Sequence, residues 1–278
     1  MRLRLDIAYD GTDFRGWARQ PGLRTVQGTL EGAVARILGG EPRLVVAGRT
    51  DAGVHATGQV AHLDLTEAQL RRLDAARNPA PEALAARLTG ILGQYPDVVV
   101  RRTSPAPEGF DARFSAVWRR YAYRVADRVS GYDPLARART TSVAADLDVE
   151  AMDAAARSLI GLHDFAAYCK WREEATTIRT LLEFDWHRDA DGILLANVKA
   201  DAFCHSMVRA LVGACVAVGQ GRLGIADVAE IRDARERTSE TKVLAARGLT
   251  LTEVGYPADE LLADRAEQTR RRRSLDGD

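Results

Sequence analysis

Residues 44–65 read LVVAGRTDAGVHATGQVAHLDL, and this segment decides how the first half of the chain is predicted to fold. The apolar run 44–47 predicts a short strand, and the pattern of residues 60–65 predicts a second strand. Residues 48–58 between them predict a loop. A polar, glycine-containing loop is therefore expected to join two strands of one sheet.

Two charged groups stand in this loop among small residues. Gly48 and Gly53 permit backbone conformations barred to other residues, and such a loop lets a substrate approach the main chain closely. Arg49 offers a planar cation and Asp51 a carboxylate. The residues alone leave two interpretations open: a catalytic carboxylate, or a tight turn in which Asp51 caps its own backbone.

Periodicity predicts alternating strands and helices through the rest of the first half. An every-second-residue apolar pattern predicts a first strand that ends at residues 10–11, and helical spacing predicts a helix from about Thr25 to the glycines at 39–40. Further elements are expected in the order helix 67–77, helix 81–92 and strand 97–102. The Pro- and Ser-containing stretch 103–109 is the predicted domain boundary.

The second half has the same mixed character. We expect, in order, a strand 115–126, a helix 149–160 capped by Asp148, a hairpin of strands 180–187 and 193–199, helices 205–219 and 225–236, and a strand 249–254. The predicted organisation is an α/β half at 1–105, a second α/β half at 106–257, and a charged, disordered tail at 258–278. The fold class is α+β.

Composition points to an ordinary globular protein, with 46% apolar and 28% charged residues. No apolar stretch approaches the roughly 20 residues that a bilayer span requires. The N-terminus lacks the apolar core of a secretory signal, so a cytoplasmic protein without a membrane partner is expected. Cys169, Cys204 and Cys215 lack the spacing of a disulfide framework or a zinc site, so we expect buried free thiols and no metal.

The formal net charge is zero, so the local distribution of charged residues is more informative about binding partners than the net charge. Between residues 113 and 139 there are seven arginines against two aspartates. A basic strip of this kind suits contacts with nucleic-acid phosphates. A solvated charged face is the alternative.

Two residues of the second half, Arg209 and Tyr121, are further candidates for a functional site. Arg209 interrupts an otherwise apolar helical stripe, and a buried guanidinium requires an anionic partner because it cannot lose its charge. Asp51 is one candidate partner; a surface position for Arg209, or a structural acid such as Asp201, is the other interpretation. Tyr121 shares a strand face with Arg119, which suits stacking on a nucleobase but equally suits a core tyrosine.

Six segments together resemble the TruA family of tRNA pseudouridine synthases, in the order in which that family has them. They are YDGTDFRGWARQ (9–20), AGRTDAGVHATGQV (47–60), FDARFSAVWRRYAY (110–123), HDF (163–165), ADAFCHSMVRALVG (200–213) and GLTLTEVGYP (248–257). The resemblance implies a pseudouridine synthase fold, with two α/β halves whose mainly antiparallel sheets flank a central cleft.

The resemblance also implies a role for each candidate residue. Asp51 would be the catalytic nucleophile and Arg209 its ion-pair partner. Substrate binding would involve Tyr121 as the ring against the target base, Arg49 as a side chain holding the flipped nucleotide, and Leu249 as an apolar wall.

The implied activity is isomerisation of uridine to pseudouridine at positions 38, 39 and 40 in the anticodon arm of tRNA. The family acts as a homodimer without a cofactor or a protein cofactor, and uses no metal. Two other functions remain alternatives: a noncatalytic tRNA-binding or chaperone module, and another enzyme in which an aspartate attacks a glycosidic bond. The second would normally need another catalytic carboxylate, and the loop contains only Asp51.

Overall fold

The computed structural model describes residues 1–74, 81–171, 176–238 and 241–270. Its strands and helices are, in chain order, β1 (Arg2–Tyr9), α1 (Val26–Leu38), β2 (Leu44–Val46), β3 (His55–Asp64), α2 (Glu67–Asp74), α3 (Ala83–Leu92), β4 (Val98–Pro105), β5 (Trp118–Ala126), β6 (Thr141–Ser142), α4 (Val149–Arg157), β7 (Gly161–Asp164), β8 (Ile178–Arg188), β9 (Leu194–Ala200), α5 (Met207–Gly219), α6 (Asp227–Ala234), β10 (Leu249–Gly255) and α7 (Leu262–Arg270). The α+β class is confirmed.

The first compact unit comprises Met1–Val117 and the segment from Leu251 to the end of α7. Its strands pair in the order β4-β1-β3-β10, and β2 also pairs with β3. The pairs of β1 with β3 and β4, and of β2 with β3, are antiparallel. Leu3, Leu5 and Ile7 alternate along β1 and are at most 1% exposed, so one face of this sheet is core.

Helix α1 begins and ends as its sequence predicts. Thr25 is the N-cap and accepts a hydrogen bond from the Gly28 N–H, while Gly39 ends the helix with φ of 71°. Val26, Leu30 and Val34 recur at helical spacing and are fully buried. The predicted helix at 67–77 is present as α2, although its last three predicted residues lie outside the described ranges.

The second compact unit is described from Trp118 to Thr250. Its strands pair in the order β5-β9-β8-β7, all antiparallel, and β6 adds a short parallel pair to β5. Asp148 caps α4 by accepting the Ala151 N–H, as predicted. The predicted hairpin is also present, with Gly192 at φ of 80° in its turn.

Several predicted boundaries are wrong. The strand expected from residue 115 begins at Trp118, and the helix expected to reach residue 160 ends at Arg157. The tail from residue 258 was expected to be disordered, but its residues Leu262–Arg270 form helix α7. Burial of Leu262 and Ala266 stabilises this helix. Residues 271–278, with most of the arginine run, lie outside the described residues. No helix in the described ranges is long and apolar enough to cross a membrane.

The unit division also differs from the predicted halves at 1–105 and 106–257. It places the boundary between Val117 and Trp118 and returns residues from Leu251 onward to the first unit. The Val117 N–H donates to the Gly255 carbonyl, and Thr252 lies against Gly58 of β3. The last strand therefore pairs with β3 of the first unit, although it follows the second unit in sequence.

A buried ion pair connects the ends of two strands in the second unit. Both Arg188 Nη atoms donate to the Asp127 carboxylate, at 3.0 and 2.7 Å. Burial raises the pKa of Asp127, but the hydrogen bonds from Arg188 and Ser130 outweigh this and hold the pKa at about 2. The ionised carboxylate thus stabilises the fold at neutral pH.

We predict that Asp127→Asn lowers the free energy of unfolding at pH 7 by about 2–3 kcal/mol, because Arg188 then keeps its charge without a carboxylate. Since the Asp127 pKa is depressed, its contribution is present above about pH 4 and is lost as pH falls toward 2. Urea unfolding should therefore show the two proteins converging at low pH. Asp146→Asn, which removes the exposed partner of Arg128, is the control and should cost under about 1 kcal/mol. An equal effect of both substitutions would contradict the prediction.

Candidate active site

The loop that carries Asp51 runs from Ala47 to Val54 and is shorter than predicted, because β3 begins at His55. The Val54 N–H donates to the Asp51 carbonyl at 3.2 Å, so the main chain closes the turn. Gly53 has φ of 77°, a conformation that favours glycine, whereas Gly48 has no positive φ. The expectation that Gly48 supplies special backbone freedom is therefore wrong.

The segment after β1 packs against this loop and fixes its main chain. The Trp17 N–H donates to the Thr50 carbonyl at 3.0 Å, and the Gly53 N–H donates to the Phe14 carbonyl at 3.3 Å. A Cβ at Gly11 would collide with the carbonyl group of Val54. Two sequence motifs that are separate along the chain, 9–20 and 47–60, thus form one structural element.

His55 adds a polar contact between the same two segments. Its Nδ1 lies 3.0 Å from the Gly11 nitrogen and 3.0 Å from Asp10 Oδ1. Neutral imidazole can accept the Gly11 N–H through Nδ1, and imidazolium can donate from Nδ1 to the carboxylate. Burial raises the pKa of Asp10, but hydrogen bonds from Thr12 and the charge of His55 outweigh it, so the Asp10 pKa is lowered.

Three buried polar side chains connect the loop with the sheet, and no sequence pattern had predicted a role for them: Tyr9 of β1, Thr50 of the loop and Gln59 of β3. The Tyr9 hydroxyl lies 2.8 Å from Thr50 Oγ1. Gln59 Nε2 donates to the Tyr9 hydroxyl at 3.2 Å and to the Gly48 carbonyl at 2.9 Å. One feature of the sequence could have revealed this cluster: Gln59 is a polar residue in a strand, β3, that is otherwise mostly buried. Burial raises the Tyr9 pKa to about 12, so this phenol stays protonated at neutral pH.

The structure places Asp51 and Arg49 together on this loop. Asp51 is half-buried and Arg49 is exposed, on either side of the buried Thr50. This arrangement gives a carboxylate whose main chain is fixed by neighbouring segments, beside a cation that faces solvent. A carboxylate so held can act as a nucleophile or a base toward a bound substrate.

Arg209 lies in the first turn of α5 in the second unit. Every other residue of this helix is buried. Arg209 Nε donates to the Leu244 carbonyl at 2.6 Å, and the Leu244 N–H donates back to the Arg209 carbonyl at 3.2 Å. The Asp201 carboxylate, considered as its structural partner, accepts the Thr180 N–H at 3.2 Å. Arg209 is thus oriented by main chain and is half-buried.

Tyr121 lies on β5, where the predicted alternation is confirmed. Tyr121 is only 8% exposed, as a core tyrosine would be, and its ring meets Phe203 edge-on with centroids 5.1 Å apart. Arg119 is on the same face, but its Nη1 donates to the Asp201 carbonyl at 2.8 Å. The cation next to Tyr121 is therefore engaged by the protein itself.

Leu249 opens β10 and is 6% exposed. The turn before it packs on β5, because a Cβ at Gly248 would collide with the Tyr123 ring. Burial raises the Tyr123 pKa to about 12, while the Thr141 hydroxyl and the charges of Arg209 and Arg247 act in the opposite direction. Within the second unit, the segment leading to Leu249 contacts both Tyr123 and Arg209, because the Tyr123 hydroxyl donates to the Ala245 carbonyl and Arg209 Nε donates to the Leu244 carbonyl.

The arginine strip is less available to a ligand than its sequence indicates. Arg120, Arg124 and Arg128 each pair with an acidic side chain. Arg113, Arg137 and Arg139 are exposed. Phosphate contacts from this segment would therefore come from separate exposed side chains rather than from a continuous strip.

The cysteine expectation is wrong for two of the three residues. Cys169 and Cys204 form a disulfide, with Cα atoms 5.8 Å apart. They are 35 residues apart in sequence, and the fold brings the end of a short 3₁₀ turn beside the start of α5. Cys215 is a buried free thiol, and burial raises its pKa to about 12. In the part of the chain that the structure describes, no cluster of His, Cys, Asp or Glu could hold a metal ion.

Comparison with known proteins decides the family. A family model described as tRNA pseudouridine synthase matches residues 155–257. The chain is 64% identical over 282 residues to the tRNA pseudouridine synthase A of Leifsonia xyli subsp. xyli, covering 99% of this chain and 98% of that protein. The chain belongs to the tRNA pseudouridine synthase A family. The resemblance inferred from the six sequence segments is thereby confirmed.

More distant members of the tRNA pseudouridine synthase A family also match over nearly their whole length. The protein from Streptomyces griseus subsp. griseus is 53% identical over 280 residues, covering 100% of this chain and 95% of the relative. That from Bifidobacterium longum is 43% identical over 303 residues, with 99% of each chain covered. The match therefore includes the Asp51 loop, which lies outside the residues of the family model.

We predict that Arg209→Lys lowers the rate of tRNA modification at least tenfold. Lysine lacks Nε, so the contact with the Leu244 carbonyl is lost, and it lacks the planar fork that can hold a carboxylate or phosphate at two points. Arg222→Lys is the matched control, because Arg222 Nε also makes a hydrogen bond, to Gln220 at 2.8 Å, on an exposed side chain after α5. Near-normal turnover of Arg209→Lys would remove this role.

Proposed function

We propose that this protein isomerises uridine to pseudouridine in the anticodon arm of tRNA, at positions 38, 39 and 40, with Asp51 as the nucleophile. Family membership over the full chain supports the reaction class. The observation that carries the site assignment is the Asp51 loop, whose main chain accepts hydrogen bonds from Trp17 and Gln59 and donates one from the Gly53 N–H to the Phe14 carbonyl. A carboxylate on a well-fixed loop is what nucleophilic catalysis requires.

The chemistry exchanges one bond of the nucleoside for another. The C–N glycosidic bond breaks, the uracil turns, and C5 becomes bonded to C1′ of the ribose, while the C5 proton leaves and N1 takes up a proton. No electrons are gained or lost by the substrate, so we propose that the protein acts without a redox cofactor. A nucleophilic carboxylate divides this exchange into steps with lower barriers.

Arg209 is proposed to supply the positive charge that keeps the carboxylate nucleophile ionised. Burial of a carboxylate under a bound substrate raises its pKa, and a nearby guanidinium opposes this and keeps the nucleophile ionised. Because Arg cannot lose its proton at neutral pH, this contribution does not depend on its own titration. Its orientation by the Leu244 carbonyl supports a fixed role.

The remaining residues are proposed to bind the target nucleotide. A uridine inside a helical stem must leave its stack to be modified. Stacking on an aromatic ring is worth about 1–3 kcal/mol per base, and Tyr121 would provide it through the small exposed part of its ring. Exposed Arg49 would contact the flipped nucleotide, and Leu249 would form an apolar wall.

We further propose that the protein acts as a homodimer in the cytoplasm, needs no protein cofactor and has no membrane partner. The support is the family resemblance. Light scattering coupled to gel filtration measures the mass in solution. A mass near twice 30.3 kDa supports the dimer, and a mass near 30.3 kDa contradicts it.

The function is tested with unmodified tRNA transcripts. Incubation with the purified protein, followed by mapping of pseudouridine at every uridine, should show product at positions 38, 39 or 40 only. Binding without product would favour the noncatalytic tRNA-binding alternative. Release of free uracil would favour an enzyme that hydrolyses the glycosidic bond.

We predict that Asp51→Asn abolishes pseudouridine formation, by at least about 1,000-fold, because the amide is isosteric but is not a nucleophile. The dissociation constant for tRNA should change little, since one loop side chain contributes a small part of a large polyelectrolyte interface. Asp13→Asn, an exposed aspartate on the neighbouring segment, is the control and should leave the rate unchanged. A substantial rate with Asp51→Asn would refute the nucleophile assignment.

A further inference from the structure

A cluster of three polar side chains, Tyr9, Thr50 and Gln59, connects the Asp51 loop with the sheet and is almost completely buried. Tyr9, Thr50 and Gln59 are 5%, 6% and 0% exposed. Buried polar groups are costly unless they are hydrogen-bonded, and a hydrogen-bonded polar cluster favours particular geometries. Each of the three side chains has a hydrogen-bond partner in the cluster or on the main chain of the loop. The cluster therefore fixes a particular arrangement of the chain around it.

The arrangement it fixes is that of Gly48 and Thr50, which precede Asp51 by three residues and by one residue. Gln59 binds the Gly48 carbonyl, and Tyr9 binds the Thr50 side chain. Both holding residues lie on paired strands, because Tyr9 of β1 is opposite Ala56 of β3. The loop is thus attached to the sheet by side chains as well as through its own ends.

The ring and the hydroxyl of Tyr9 have separate tasks. The ring packs against Phe14 and Trp17, with centroids 6.4 and 6.0 Å apart. Phenylalanine would preserve these apolar contacts. Only the hydroxyl reaches Thr50 and Gln59, so its removal affects the loop more than the core.

We infer that Tyr9, with Gln59 and Thr50, is a positioning residue that holds the Asp51 carboxylate in its reactive orientation. The inference rests on the proposed nucleophile role of Asp51. A shift of about 1 Å at a reacting group can cost on the order of a hundredfold in rate without any loss of binding. The cluster should therefore control turnover rather than tRNA affinity.

The test compares Tyr9→Phe with Tyr168→Phe. Tyr168 is also buried, at 1% exposure, and its hydroxyl donates to the Val228 carbonyl at 2.7 Å in the second unit. Each variant loses one buried hydroxyl, so a purely structural cost should be similar in the two. We expect Tyr9→Phe to lower kcat for pseudouridine formation ten- to a hundredfold, with KM for tRNA within twofold of the unsubstituted protein. Tyr168→Phe should leave kcat within twofold.

Thr50 provides a second pair of variants. Thr50→Ser keeps the hydroxyl and should retain most of the turnover, whereas Thr50→Val keeps the shape, loses the hydroxyl and should lose turnover as Tyr9→Phe does. Since both act through one hydrogen bond, the double variant Tyr9→Phe/Thr50→Val should be no slower than the slower single variant. If Tyr9→Phe does not fold, the Thr50 pair decides the question in the same way.

The outcomes separate this inference from the proposed function. If kcat of both Tyr9→Phe and Thr50→Val stays within twofold of the unsubstituted protein while Asp51→Asn is inactive, the positioning role is overturned and the nucleophile assignment stands. Equal loss in Tyr9→Phe and Tyr168→Phe, with matching falls in melting temperature, also overturns it. If Asp51→Asn itself is active, the proposed nucleophile is wrong.

Discussion

The contact between the Tyr9 hydroxyl and Thr50 Oγ1 is the constraint on which the candidate site depends. It joins the end of the first strand to the residue before Asp51, and both side chains are buried. Gln59 donates hydrogen bonds to the Tyr9 hydroxyl and to the Gly48 carbonyl. A short polar loop between strands would otherwise have many conformations. The buried cluster favours one conformation of the loop. Family membership supports a catalytic role for the loop in that conformation.

The second unit shows the same principle with a charge in place of a hydroxyl. Helix α5 is buried along its whole length except at Arg209. A guanidinium cannot be accommodated in such a helix by losing its proton, so the fold must give it partners. One is the Leu244 carbonyl, which sets the direction of the side chain. In both units, hydrogen bonds therefore fix the direction of a polar side chain that lies among buried residues.

Local periodicity was sufficient to predict most elements, and tertiary contacts account for the errors. The two-residue alternation along β5 and the capped helix α1 follow from the sequence directly. The loop was predicted to extend to Gly58 because glycine is typical of turns. Gly58 lies instead within β3, where the absence of a side chain allows Thr252 to approach closely. The return of β10 to the first sheet, the burial of Leu262 in α7 and the pairing of Cys169 with Cys204 all join distant segments, which no local pattern encodes. Motif resemblance predicts roles for Asp51 and Arg209, whereas Tyr9 and Gln59 look like ordinary strand residues until the fold of the first unit brings them under the loop.

Asp51→Glu tests the central claim most directly, because it retains the carboxylate and moves it by one methylene. If the position fixed by the loop is what makes Asp51 reactive, the initial rate of pseudouridine formation in a tRNA transcript should fall at least about a hundredfold, while tRNA binding is preserved. A rate within about threefold of the unsubstituted protein would contradict the account, since it would show that a carboxylate anywhere near this point of the loop is sufficient.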